Sequence, residues 1–176
     1  MRLKDKRVAV LLDEGFEDLE FWVTAMRLQE EGARVTIVGL EAGRTVHGKN
    51  ALTARSDVAA GSVKPDDFDA LVVPGGWAPD KLRRYDAIKT LVRGVYAQGK
   101  VVGLICHAGL VGISAGIIPK GSRATGSLGI KDDLVNAGAV WVDEPAFREG
   151  QIVWGRVVAD IPAFCRELVA AIESTD

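Results

Sequence analysis

The chain is poor in the residues that usually announce a cofactor, a disulfide scaffold or a nucleic-acid surface. Among 176 residues there are two cysteines, two histidines and six prolines, and aromatic side chains make up 6%. Two cysteines, Cys106 and Cys165, cannot build the disulfide framework of a small secreted domain. Two histidines, His47 and His107, without any Cys/His spacing of the ligand type, give no zinc signature, so neither metal nor cofactor is expected. An excess of one charge is missing too: 22 Lys and Arg stand against 24 Asp and Glu. A net charge of −2 argues against nucleic acid as a specific partner, since that favours a strongly basic face. No apolar run approaches the ~18 residues of a membrane span, so no membrane is expected. Met1–Arg7 carries charges but leads into no signal-peptide core with a cleavage site, so a cytoplasmic location is the expectation. There is no P-loop, and Gly126-Ser127-Leu128-Gly129 does not complete a dinucleotide fingerprint. Repeats, linkers and low-complexity tracts are lacking, which leaves one domain, 1–176.

What is present is alternation. Arg7–Leu12, Arg34–Gly39, Ala70–Val73 and Lys100–Ile105 are short apolar runs of strand length without polar alternation, as expected of strands buried on both faces of a parallel sheet. Helical patterns separate them. One runs from about Glu17 to Glu31, with Leu19, Trp22, Val23 and Met26 read as its apolar stripe and Gly32 as its stop. Another spans about Asp86 to Gln98. Thr45-Val46 and 51–54 suggest a small hairpin around His47-Gly48-Lys49-Asn50, a polar stretch in which His47 has no evident role. Later segments read as a helix opening at 129–133, short strands at Val140–Val142, Ala146–Arg148 and Gln151–Trp154, and a last helix with Asp160 as N-cap and Pro162 in its first turn. Cys165 falls on that helix's apolar face and reads as packing. The pattern predicts an α/β fold, a mostly parallel central sheet with helices on both faces.

The stretch from Lys100 to Gly109 concentrates the chemistry. A strand runs into Cys106-His107 and then into small residues that open a helix, the layout of a nucleophile elbow. Sites in such sheets form at the carboxyl ends of strands. Three loops meet that condition: 13–17, with the carboxylate of Glu17; 74–80, with Pro74-Gly75-Gly76; and Cys106-His107. A thiol at a helix start should have its thiolate favoured, and the N–H groups of Gly76 and His107 would receive an oxyanion. Taken singly each has a plainer reading: Glu17 as a helix N-terminal acid, Pro-Gly-Gly as a turn, the cysteine as packing. Lys81-Leu82-Arg83-Arg84 reads as a solvated face or a subunit contact.

The combination of Gly15-Phe16-Glu17-Asp18-Leu19-Glu20, Pro74-Gly75-Gly76, Ile105-Cys106-His107 and Gly129-Ile130-Lys131-Asp132-Asp133 with Asn136-Ala137-Gly138-Ala139 resembles the PfpI family. This is the intracellular-protease branch of the class I glutamine-amidotransferase-like superfamily, which also holds the parkinsonism-associated deglycases. The resemblance runs from about Arg7 to Glu167. It implies a flavodoxin-like, class I glutamine-amidotransferase-like sandwich. It also implies that Cys106 is the nucleophile, His107 the catalytic histidine, Glu17 the acid bonded to the thiol, and Gly76 and His107 the oxyanion amides. Asp80 of a neighbouring subunit would orient the histidine, which implies a homo-oligomer: dimer, trimer or hexamer. The implied activity is a cysteine hydrolase or lyase on small carbonyl or amide substrates, with a small molecule or glycated protein as partner. Deglycase, glyoxalase and peptidase all fall within it. The second reading is a redox-stress protein whose Cys106 is oxidised to sulfenic or sulfinic acid, and the third a flavodoxin-like binding domain with an inert thiol. Three positions depart from the family: Ala108-Gly109 in place of Gly-Pro, a large Leu104 two before the nucleophile where it would crowd the elbow, and Trp154-Gly155-Arg156 in place of Ser-Arg. Trp77 and Trp154 would then rim the site, with core or interface packing as the alternative for both.

Overall fold

The structure, a computed structural model, describes residues 1–175. Eleven strands and six α-helices follow the chain in the order β1 (Arg7–Leu11), α1 (Asp18–Glu30), β2 (Arg34–Gly39), β3 (Thr45–His47), β4 (Thr53–Arg55), β5 (Val58–Ala59), β6 (Ala70–Val73), α2 (Ala78–Leu82), α3 (Asp86–Ala97), β7 (Val101–Ile105), α4 (Gly109–Ala115), β8 (Arg123–Ala124), α5 (Lys131–Asn136), β9 (Val140–Trp141), β10 (Ala146–Glu149), β11 (Ile152–Gly155) and α6 (Ile161–Glu173). Seven strands make one sheet in the order β10-β11-β7-β6-β1-β2-β5. Every neighbouring pair is parallel except β10 with β11. Helices α1 and α6 pack together on one face, and α3 and α4 on the other with α2 and α5 beside α4. This is the expected α/β sandwich. No helix among the described residues is long and apolar enough to cross a membrane.

The central strands earn their place by composition. β6 and β7 are buried at every residue and β1 at all but Arg7, so unbroken Val, Leu, Ala and Ile meet side chains from both layers. Gly103 is the thin point of β7: a Cβ there would lie 3.0 Å from Leu168 Cδ1, so its absence lets α6 settle onto the sheet. On the other face Leu104 fills the room left by Gly112 of α4, where an added Cβ would come within 2.9 Å of Leu104 Cδ1. Leu104 is therefore core packing directed at α4, and does not crowd the elbow.

Helix α1 corrects the sequence reading. Its buried face is Phe21, Thr24, Ala25 and Leu28, together with Asp18 and Glu20, whereas Leu19, Val23 and Met26 face solvent. The helix carries two apolar lines, and the sheet takes the one with smaller residues around Phe21. Three smaller expectations also shift. The second hairpin strand begins at Thr53 because Asp18 claims the backbone N–H groups of Asn50 and Leu52, both at 2.8 Å. The segment Val140–Trp141 pairs with Arg123–Ala124 in a separate two-stranded sheet. Asp160 stands at the α6 N-cap but gives its carboxylate to Arg156, at 2.9 Å, and not to the helix.

Candidate active site

In the strand order the chain reverses direction between β1 and β6: from β1 it builds outward through β2 and β5, then returns to add β6, β7 and β11 on the other side. The loops leaving β1, β6 and β7 meet at that switch point, where an open α/β sheet presents a crevice. Backbone contacts bind the loops together. Phe16 and Gly76 form an antiparallel bridge, the Glu17 N–H donates to Gly75 O at 3.0 Å, and the Trp77 N–H donates to Gly15 O at 2.7 Å.

Cys106 closes β7 with φ of 61°, a left-handed conformation unusual outside glycine, and one turn of 3-10 helix leads on into α4. This strained turn lifts the thiol out of the strand line. Its carbonyl is fixed by the Ser127 N–H at 3.1 Å. Gly75 lies so close that a Cβ there would stand 2.6 Å from Cys106 Cβ and 2.5 Å from Glu20 Oε2. Gly76, at φ +81°, turns the β6 loop so that its N–H points to the sulfur, as does that of His107. His107 Nδ1 lies 3.2 Å from Cys106 Sγ.

The acid beside the thiol is Glu20, and this overturns the assignment of Glu17. Glu17 is the N-cap of α1; Oε2 accepts from the Glu20 N–H at 2.8 Å and Oε1 from Asn50 Nδ2 at 3.4 Å. Its oxygens are taken by its own helix start and the neighbouring loop. Glu20, one turn later and 0% exposed, accepts from the Gly75 N–H at 2.7 Å through Oε2, while Oε1 has no hydrogen-bond partner among the described residues. The spacing held the signal: in Glu17-x-x-Glu20 an acid at N-cap spends itself on the helix, leaving the acid at N3 to face inward.

The electrostatics differ from the expected stabilised thiolate. Burial, and then the nearby Glu20 charge, push the Cys106 thiol up to about 12, against the pull of the Gly76 and His107 N–H groups. Burial raises Glu20 to about 7; the Gly75 hydrogen bond opposes this and the Glu17 charge adds to it. His107 is held below its ordinary value by burial and by Lys49.

A cavity of about 390 Å³ opens above the thiol, bounded by Glu17, Glu20, Gly76, Trp77, Cys106 and His107, with Lys49, Ser127 and 157–159 completing its wall. Trp77 is 63% exposed and forms part of that boundary. Trp154 does not: it is 1% exposed, sits in β11 opposite Leu104, and packs on Gly109 of α4. The rim reading of Trp154 is thus replaced by core packing, because strand alternation sends its ring inward. Lys49 and Ser127 escape the sequence reading, in which Lys49 lies in a polar hairpin turn and Ser127 in a stretch that completes no dinucleotide fingerprint. Asp80 is exposed on α2, and its carboxylate pairs with Arg84 of the same chain. His47 is exposed beside Glu14 and does not line the cavity. Cys165 is buried, 3.8 Å from Thr24 Oγ1. No cluster of metal-ligating side chains occurs among the described residues.

A thiol on a strained elbow, two backbone donors aimed at it, and an acid and a histidine beside it define a cysteine-centred α/β protein of the amidotransferase-like type. The comparisons name the family: residues 6–171 match the DJ-1/PfpI family, and the chain belongs to it. A protein of Pyrococcus horikoshii named deglycase PH1704 is 40% identical over 167 residues, covering 95% of this chain and 99% of its own. The Escherichia coli protein/nucleic acid deglycase 2 is 38% identical over 164 residues, covering 92% and 95%. The crystal structure of Drosophila melanogaster DJ-1beta superposes with a TM-score of 0.88 at 26% identity, over 96% of this chain and 90% of that one.

Proposed function

We propose that this protein is a cytoplasmic cysteine-dependent enzyme acting on small carbonyl compounds or their protein adducts, a deglycase or glyoxalase, with Cys106 as nucleophile. The observation that carries the reading is the convergence on one sulfur of the Gly76 and His107 N–H groups, the Glu20 carboxyl and His107 Nδ1. Relatives named deglycases favour the carbonyl substrate, while a Bacillus subtilis relative of 38% identity named a putative cysteine protease makes a peptide substrate the alternative.

In the proposed reaction the thiol proton passes to the ionised Glu20 carboxylate or to His107 Nδ1. Sγ adds to the carbonyl carbon, and the π electrons of the C=O bond move to oxygen. The Gly76 and His107 N–H groups receive the oxyanion. His107 then moves the proton that the adduct must gain or lose for product to leave. Burial of the thiol keeps it protonated at rest, so the thiolate forms only as Glu20 or His107 accepts its proton. Asp80 of a neighbouring subunit would orient His107, making the homo-oligomer the active unit. The redox reading keeps the same residues: an oxidised Cys106 would gain its hydrogen bond from protonated Glu20.

Cys106→Ala is expected to abolish conversion of methylglyoxal and release of its adducts from protein, a loss of at least ~10³-fold in kcat/KM. Unchanged turnover would sink the catalytic reading. Wild-type protein without turnover, but with selective sulfinate at Cys106 after mild peroxide, would favour the redox reading.

A further inference from the structure

One residue of the cavity is left without a task by the chemistry above. Lys49 is the only Lys or Arg among the described residues lining it. We propose that Lys49 is a specificity residue that selects carbonyl substrates bearing a carboxylate, its ammonium receiving the anionic end while Cys106 attacks the carbonyl. The proposal deepens the cysteine-nucleophile reading and rests on it for the reaction.

The loop that carries Lys49 is built to hold it there. Its own N–H donates to Phe16 O at 2.9 Å, in the same β1 loop that bridges Gly76. On either side, the Gly15 N–H donates to His47 O at 2.8 Å, and Asp18 accepts the Asn50 and Leu52 N–H groups. Gly48 is pressed against Asp18, where a Cβ would meet Oδ2 at 2.5 Å. The backbone is pinned at five points, so the exposed side chain starts from a fixed position at the cavity edge.

That side chain is unspent. Among the described residues Lys49 makes no ion pair and its ammonium no hydrogen bond, whereas thirteen of the other Lys and Arg side chains are paired to carboxylates or carbonyls, Arg156 twice over. Its charge nevertheless reaches the reacting groups: it helps hold His107 down and slightly opposes the rise of Glu20 that burial causes. The other ionisable groups of the cavity offer an anion little resistance. Glu17 is bound to the α1 start and Asn50, Glu20 holds a proton up to about pH 7, and His107 favours its neutral form. At about 390 Å³ the cavity suits a small molecule. Trp77, Val157, Val158 and Ala159 contribute apolar surface to the rest of the lining.

The test compares two electrophiles of nearly equal shape. Iodoacetate carries a carboxylate where iodoacetamide carries a neutral amide. With either, the Sγ–CH₂ bond forms, the C–I bond breaks, iodide leaves, and the thiol proton goes to solvent. The ratio of their rates at Cys106, read by mass spectrometry and divided by the same ratio for a free thiol, cancels any change in thiol reactivity. The wild-type ratio is expected to exceed that of the free thiol by about fivefold at low salt, and to fall as salt rises. Lys49→Met should bring it to the free-thiol value, Lys49→Glu below it, and Lys49→Arg should keep it. Lys4→Met, in the turn before β1 and outside the cavity lining, should leave it unchanged. A wild-type ratio at or below that of the free thiol, or one indifferent to Lys49→Met, overturns the proposal. Turnover of 4,5-dioxopentanoate and of its methyl ester separates the two readings. If neither is converted while the alkylation ratio depends on Lys49, the enzyme reading fails and anion selection stands. If both are converted with a ratio untouched by Lys49→Met, selection fails alone.

Discussion

With Glu20 lifted to about 7 and Cys106 to about 12, the pair holds two protons in mild acid and one above neutrality. Only the one-proton pair can place a thiolate beside a protonated carboxyl, because Glu20 must first be empty to accept. The rate of thiol chemistry is therefore expected to climb about tenfold per pH unit below 7 and level off above it. Glu20→Gln should erase that rising limb and cost about 10²-fold in kcat/KM, as measured by a pH–rate profile. The same shift acts on stability, with the opposite sense. An unfolded carboxyl ionises from about 4.5 and the folded one from about 7, so between these values the folded state holds a proton that the unfolded state has lost. Stability from this group falls as pH rises through that window, by about 3 kcal/mol. Relative to wild type, Glu20→Gln should gain stability between pH 4 and pH 8, and urea denaturation at both pH values reads the difference. Both acids are visible in the sequence, but residue type alone does not say which of them meets the thiol. Three residues apart on one helix face, they differ only in that Glu17 caps and Glu20 does not.

At the scale of elements, α1 serves two partners at once. Phe21, Ala25 and Leu28 enter the core, while Asp18 at its start carries the 48–52 loop through two backbone N–H groups at 2.8 Å. Asp18 is 2% exposed, so removing its carboxylate strands two donors near the cavity. Asp18→Ala is expected to destabilise the fold by about 2 kcal/mol and to raise hydrogen exchange at the Asn50 and Leu52 amides. It should loosen Lys49 without touching Cys106. Equal exchange at those amides in variant and wild type would contradict the anchoring role. Most strands and helices of the central sandwich are legible, because a short unbroken apolar run has few other uses; β5, two residues in a polar stretch, and α2, which begins inside the loop expected at 74–80, are not. Nor is the apolar face of α1. Leu19, Trp22, Val23 and Met26 have the right period, but so do Phe21, Thr24, Ala25 and Leu28, and only the layer of α6 decides between them. The anchoring of 48–52 was hidden for another reason: it joins Asp18 to residues more than thirty positions away, and no local pattern records that.

For the molecule as a whole, the switch point explains why residues from positions 17 to 107 share one crevice, and why the strand ends were worth reading as a site. A single chain leaves the line of Leu19, Val23 and Met26 exposed on its surface, and the exposed carboxylate of Asp80 pairs with Arg84 of the same chain. If Asp80 orients His107 of a neighbour, each chain lends an acid to a site it does not own. Asp80→Ala should then lose about 10²-fold in kcat with KM little changed, because the acid positions a proton carrier and touches no substrate. Cys106→Ala should be inactive, yet keep a usable Asp80. Co-refolding the two variants in equal amounts builds mixed oligomers in which an intact Cys106 meets an intact Asp80 from next door. For random pairing across a single interface, about a quarter of the wild-type activity should return. An acid acting within its own chain gives no such gain, since neither variant then holds a complete site. Activity of the mixture equal to the sum of its parts, with mixed oligomers verified by native mass spectrometry, would rule out the shared site and leave Asp80 to its pairing with Arg84.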